Sequence, residues 1–230
     1  AQSSHNLSMS GSENGLDYFL SLGYLDQNSL FKGPDFGYKR YNFRINLSKE
    51  INDKLKVSGK MSFARNDIKD HAWWTEWLIE PTVRIPTIYD IVDENGDYTL
   101  VSGSNGSSLA RLEQGGSRTS QNDEALGNVS LEYKPLKGLT LRGVLGGNIT
   151  SNQTHQFRKA IQYAYPGGGD NQNSVSDQYS RSLYLNPYVT ANYQLELFDD
   201  HEFEVLVGAS SESYQTQFFG VTGLDVPGND

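Results

Sequence analysis

Residues 41–63, YNFRINLSKEINDKLKVSGKMSF, alternate apolar and polar side chains on both sides of a short polar break. A period of two sustained over that length specifies extended strands with one dry and one wet side. Tyr41, Phe43, Ile45 and Leu47 face one way, Asn42, Arg44 and Asn46 the other; beyond the break Leu55, Val57, Met61 and Phe63 oppose Lys56, Ser58 and Lys60. The same pattern marks eight strands, at residues 5–11, 16–26, 38–49, 54–66, 126–134, 139–152, 178–196 and 202–218. No segment shows a helical period, so the chain is predicted to be all-β.

What the dry side faces decides the function. A soluble β-sandwich, with one face of each sheet on a shared core, produces the same alternation. The connections separate the two cases. Short turns at 12–15, 50–53, 135–138 and 199–201 rotate strictly with long loops at about 27–37, 67–124 and 153–177. A sandwich has no reason to sort its loops this way, whereas an outer-membrane barrel has short periplasmic turns and long extracellular loops. Strand length agrees: globular strands average five or six residues, and the 178–196 run, at about 3.3 Å per residue, reaches about 60 Å. Pro187 inside that run has no N–H to donate and predicts a bulge. The fold expected is therefore an antiparallel transmembrane β-barrel, its apolar rows toward lipid and its Asn, Arg, Lys and Ser rows toward a wet lumen.

Composition narrows the classes further. Of 230 residues, 14 are Tyr, 10 Phe and 23 Gly against 2 Met, a balance that suits strands and turns. No apolar run is long enough for a membrane helix, and barrel strands need apolar residues only at alternate positions. A net charge of −9 without clustered Lys and Arg argues against nucleic acid, and the absence of cysteine excludes disulfide scaffolds and thiolate metal sites. The start, AQSSHNL, carries no charged and apolar leader, as expected of a processed or excerpted chain. With long loops outside, both ends of the eight strands lie outside the cell, and an open sheet in hydrocarbon leaves two unsatisfied edges. The expectation is thus about eight strands of a larger barrel. The alternatives are a small self-closed eight-stranded barrel with a structural or adhesive role, recognisable by pairing of 5–11 with 202–218, and a soluble glycan-binding β-sandwich.

Residues 5–67 carry a family resemblance. His5-Asn6-Leu7-Ser8 leading to Ser10-Gly11, then Ser21-Leu22-Gly23-Tyr24-Leu25-Asp26-Gln27, then Arg40-Tyr41-Asn42 with Arg44-Ile45-Asn46-Leu47, resemble the early barrel of the SusC/RagA-type TonB-linked outer-membrane receptors of Bacteroidetes. Ile85-Pro86 before the 89–98 stretch and Leu139-Thr140-Leu141-Arg142-Gly143 resemble that family more loosely. The resemblance implies a 22-stranded barrel with an N-terminal plug, energised by TonB and capped by a SusD-like surface lipoprotein, that imports oligosaccharides or oligopeptides. The plug and the TonB-contact segment are absent from these residues, so residues 1–230 are expected to supply barrel wall and loops only.

Candidate sites are few. HAWWTEW, residues 71–77, sets Trp73, Trp74 and Trp77 in the longest loop, where indole faces suit stacking on sugar rings; an interfacial girdle, loop packing or contact with the lipoprotein are the competing roles. Arg44, Lys56, Lys60 and Arg142 share the wet face, where they can pair with the plug or neighbouring strands or guide polar cargo. DIVDENGDY, residues 90–98, lacks the terminal Glu and flanking helices of a calcium loop and is predicted to turn at Asn95-Gly96. PGGGDNQN, residues 166–173, lacks the Gly-Lys-Ser/Thr ending of a phosphate loop and reads as a mobile connection. His5, His71, His155 and His201 show no ligand spacing, and no nucleophile, base and acid set stands out. The expectation is a non-enzyme without metal or cofactor.

Overall fold

A computed structural model describes residues 1–31, 33, 35–86, 88–100, 106–165, 170–197 and 201–228. Strands β1 (Gln2–Glu13), β2 (Leu16–Asn28), β3 (Gly37–Asn52) and β4 (Leu55–His71) precede two helices, α1 (Thr75–Arg84) and α2 (Ser108–Gln114). Then come β5 (Gly116–Leu136), β6 (Leu139–Arg158), β7 (Ser174–Leu197), β8 (His201–Ser210) and β9 (Ser213–Leu224). All belong to one antiparallel sheet in the order β1-β2-β3-β4-β5-β6-β7-β8, with β9 also paired to β7. The helices correct the expectation of a chain without helical segments; both are short and lie in the connection between β4 and β5.

The short turns follow hairpin chemistry. Asn14 and Gly15 both have positive φ, +50° and +74°, the type I′ geometry whose twist matches the flanking strands, so Glu13 pairs Leu16 without an irregularity. Gly138, at φ +82°, closes β5 to β6 with a one-residue register shift; a Cβ there would lie 2.2 Å from the Gln194 carbonyl oxygen. The predicted turn at 199–201 falls largely outside the described residues.

Register keeps the two faces intact across the sheet. Leu22 pairs Phe43, Phe43 pairs Phe63, Phe63 pairs Ala125, Ala125 pairs Ile149 and Ile149 pairs Leu183. The next row on the opposite face runs Ser21, Arg44, Ser62, Leu126, Asn148 and Tyr184. Apolar exceptions on that mostly polar face include Phe19, Leu25, Ile68, Leu126, Val144 and Leu206. No second sheet covers the apolar rows among the described residues, so the sandwich's shared core is missing; Leu7, Leu22, Val129, Leu145 and Val189 stand more than half exposed. Nor does β1 pair with β8 or β9, which removes the self-closed eight-stranded barrel: the sheet is an open wall.

Strands run past their predicted ends on the long-loop side, leaving connections at 29–36, 72–115 and 159–173. Pro187 does not produce a bulge. Tyr188 pairs Ser210 and Leu185 pairs Ser213, so the register across β7 is the same on both sides of residue 187. β8 and β9 are one strand interrupted where proline cannot donate: the Ser211 N–H bonds the Pro187 carbonyl at 3.0 Å, and the reciprocal bond of that pair is lost.

Candidate functional site

On the apolar face of β3, Lys39 and Lys49 flank Tyr41, Phe43, Ile45 and Leu47. About ten residue steps separate the lysines, about 33 Å along the strand and about 25 Å along the membrane normal at a tilt of about 40°, the height of a barrel's lipid-facing band. At its long-loop edge His5, Tyr24 and Tyr41 form an aromatic row, with ring centroids 6.5 and 5.2 Å apart. Beside Tyr41 in the same row, Arg65 donates to both carboxylate oxygens of Asp123 at 2.7 Å. Such a charge pair marks the end of the dry band, because hydrocarbon does not tolerate it on the outer surface.

The polar face holds Arg44, Lys56, Lys60 and Arg142. Register brings Glu50, Lys56, Glu132 and Arg142 side by side on four strands, alternating in sign, and Lys56 lies 3.7 Å from Glu50. Opposite charges on neighbouring strands support the ladder. Lys60 lies between Asn46 and Asn128, and Arg44 between Ser21 and Ser62.

Above the wall, the β4–β5 and β6–β7 connections are fastened together. Arg111 on α2 donates from Nε and Nη2 to Asp170 Oδ2 and Oδ1, each at 2.9 Å, and from Nη1 to the Trp77 carbonyl at 2.9 Å. Tyr163 donates to Asp170 Oδ2 at 2.6 Å and accepts from the Ser107 N–H at 3.0 Å. Both members of the ion pair are buried, a state that requires the full set of hydrogen bonds it has. Burial, reinforced by the bond to Asp170, raises the Tyr163 hydroxyl above its ordinary pKa. Burial, with the hydrogen bond donated to Glu113, pushes Tyr98 up to about 12. These hydroxyls are neutral fasteners rather than acid–base catalysts at neutral pH. Asp170 corrects the reading of 166–173 as a mobile connection for its described part; residues 166–169 lie outside the description.

The three indoles differ in burial, although the Trp73 and Trp77 rings touch at 6.1 Å between centroids. Trp73 is 4% exposed, with the Arg111 and Arg158 guanidinium carbons 4.5 and 4.4 Å from its ring centroid, whereas Trp74 is 66% and Trp77 49% exposed. Trp73 therefore has no free face for a ligand and belongs to the loop core with Leu78, Ala110 and Ile161. None of the three is an interfacial girdle residue. His71 stands four residues beyond Asp67 of the Lys39 row, about 10 Å above the band along the normal. Sequence reasoning missed Arg111, Asp170 and Tyr163, whose partners lie up to 59 residues away.

The turn at Asn95-Gly96 is present as predicted: Val92 bridges Tyr98, Gly96 has φ +89°, and the Asp93 carboxylate accepts from the Asn95 and Asp97 N–H groups at 2.9 Å. Those backbone bonds hold the Asp93 carboxyl below the usual range. Among the described residues no three His, Cys, Asp or Glu side chains gather as a metal set. His155 contacts Asp177 at 2.7 Å, His71 is buried beside Phe31 and Phe36, and His5 is in the aromatic row.

An open antiparallel wall with a 25 Å lipid-type band, as estimated above, and sorted loops defines part of a transmembrane β-barrel. No family model matches the chain. It is 24% identical over 228 residues to TonB-dependent receptor P26 of Formosa agariphila, covering 94% of this chain and 22% of that protein. It is also 24% identical over 239 residues to TonB-dependent receptor SusC of Bacteroides thetaiotaomicron, covering 94% of this chain and 23% of that protein. The solved RagAB peptide transporter superposes with a TM-score of 0.75 at 23% identity, over 99% of this chain and 26% of that one. The RagAB peptide importer in its open-open state gives 0.76 at 23% identity, with the same coverage. The chain thus spans between a fifth and a quarter of the curated relatives it matches. Along nearly its whole length the chain is similar to receptors of the SusC/RagA type. These relatives are receptors and transporters, not enzymes.

Proposed function

We propose that this chain is barrel wall and surface loops of an outer-membrane, TonB-dependent importer of oligosaccharides or oligopeptides that works with a SusD-like surface lipoprotein. The observation that carries the reading is the two-faced register: apolar rows form a band of membrane height on one face, and Asn, Ser, Tyr and alternating charges line the other. Short turns share the periplasmic edge, and the connections at 29–36, 72–115 and 159–173 rise outside the cell. On this reading Arg44, Lys56, Lys60 and Arg142 face the lumen or a plug supplied by the longer protein, and Phe19, Leu126 and Val144 give that plug apolar contacts. TonB engages the protein through segments outside this sequence.

Among the indoles, Trp74 and Trp77 are the substrate-contact candidates, because their exposed rings sit above the wall where cargo or the lipoprotein arrives. The likeness to receptors named for SusC and to a peptide transporter supports import and leaves both cargo classes in play. The test is growth of a strain lacking the full-length gene on single oligosaccharides or oligopeptides, with and without the adjacent lipoprotein. Loss of growth on one cargo class, restored only by both proteins together, is expected. Undiminished uptake in the deletion strain on every cargo would sink the reading.

A further inference from the structure

A cavity of about 1080 Å³ lies on the outward face rather than the polar one. Register aligns Asp26, Lys39, Asp67, Gln121 and Gln153 as one row on the same face as the apolar band. That row, two residues beyond Tyr41, is the Lys39 row at the upper edge of the band. Lys69 is one rung higher, paired with Gly37 and Thr119. The 29–36 connection bends back over these rungs and makes the surface a cleft. Its Ser29 N–H bonds the Phe36 carbonyl at 3.0 Å, and buried Phe36 packs edge-on against His71 at 6.3 Å.

The lining has the chemistry of a polyhydroxyl ligand. Lys39, Lys69 and Gln153 offer side-chain donors with no hydrogen bond or ion pair among the described residues, while Asp26, Asp35 and Asp67 offer acceptors, and Tyr41 and Phe31 offer ring faces. Among the described lining residues, carboxylates and ammonium groups are mixed with amides, a set that suits a sugar that both donates and accepts. Directly below, an apolar groove of about 380 Å³ runs between Leu7, Leu22, Phe43 and Phe63, and Tyr41 lines both it and the cleft. A polar seat opening onto an apolar groove, at the height where hydrocarbon ends, matches one amphiphile.

We infer that this face of β2–β6 seats a sugar-bearing lipid of the outer leaflet, its headgroup in the cleft and an acyl chain along the groove. The inference rests on the membrane reading proposed above. The full-length protein, extracted in mild detergent, is analysed by native mass spectrometry and then challenged in lipid nanodiscs with lipopolysaccharide or phosphatidylglycerol. The wild type is expected to retain a lipid whose released headgroup contains sugar, and to prefer lipopolysaccharide. The K39A/K69A variant should lose retention by about tenfold or more, while K134A, at the short-turn edge, keeps it; heat-modifiable migration on a gel checks that both remain folded. Equal retention by K39A/K69A, or preference for phosphatidylglycerol, overturns the lipid seat and leaves the barrel intact. A protein that stays dispersed without detergent removes the membrane reading itself, a different result in the same preparation.

Discussion

Replacing Ile45 by arginine sets a charge on the outward face between two natural markers of the membrane edges. Ile45 lies six residues from Lys39 and four from Lys49 on the same face of β3. At about 3.3 Å per residue and a tilt of about 40°, that is about 15 Å from one edge and about 10 Å from the other, close to the midplane. Its cross-strand partners are Leu20 and Met61, neither of which can accept from a guanidinium. The expected cost is about 2–4 kcal/mol. Ser58→Arg, on the polar face of β4, gives up one hydroxyl contact with Ser48 at 3.1 Å but keeps its charge in water. Its cost is expected to be about 0.5–1.5 kcal/mol, the net worth of a hydrogen bond. Both are measured by reversible folding of the full-length protein into bilayers under guanidinium titration. Equal losses for the two variants, or a larger loss for Ser58→Arg, would refute the assignment of faces.

Three further outcomes follow from the loops. Arg111→Ala leaves the Asp170 carboxylate buried without its partner; loosening of the loop pair by about 3–5 kcal/mol should appear as faster limited proteolysis in 72–115 and 159–173, with strand protection unchanged. Trp74→Ala with Trp77→Ala should weaken cargo or lipoprotein binding by about tenfold in titration calorimetry and raise loop proteolysis less than Trp73→Ala does, because Trp73 is the buried ring of the three. Because the folded pKa of Asp93 is depressed, the support its carboxylate gives the 92–98 hairpin is complete above the unfolded value of about 3.9 and disappears as pH falls through the folded one. Exchange protection of the Asn95 and Asp97 amides should therefore fall in acid and be insensitive to pH above about 5.

The faces were legible because a period of two survives wherever one side is dry. It fails above the band: in 116–124 and 153–158 both sides are wet, so Arg118, Gln121, Asn122 and Gln153 alternate nothing, and the strands looked shorter than they are. Helix α1 escaped notice for another reason. Its sequence TEWLIEPTVR carries a proline, and its exposed Ile79 and Val83 give it no clean polar side. Trp73 looked like a ligand platform because the sequence does not reveal that Arg111 and Arg158 approach it. Contacts of that kind, like Arg111 with Asp170, are set by which loops the sheet brings together, and no local spacing encodes them. Pro187 was expected to bulge, but its partner strand keeps step, because the missing donor faces only one neighbour: the β6 side of the pair with Leu145 needs no bond from it.

That last detail gives the wall a seam. Pro187 shares its row with Leu145, Val129 and Leu47, two residues inside the Lys49 edge of the lipid-facing band, so the Ser211 carbonyl opposite loses its strand donor within the band. Lateral cohesion between β7 and the strand that follows is accordingly weakest at this rung near the short-turn edge of the band and stronger above and below it. Any unzipping of this part of the cylinder, under mechanical load or during assembly, should start at that rung and run outward in both directions.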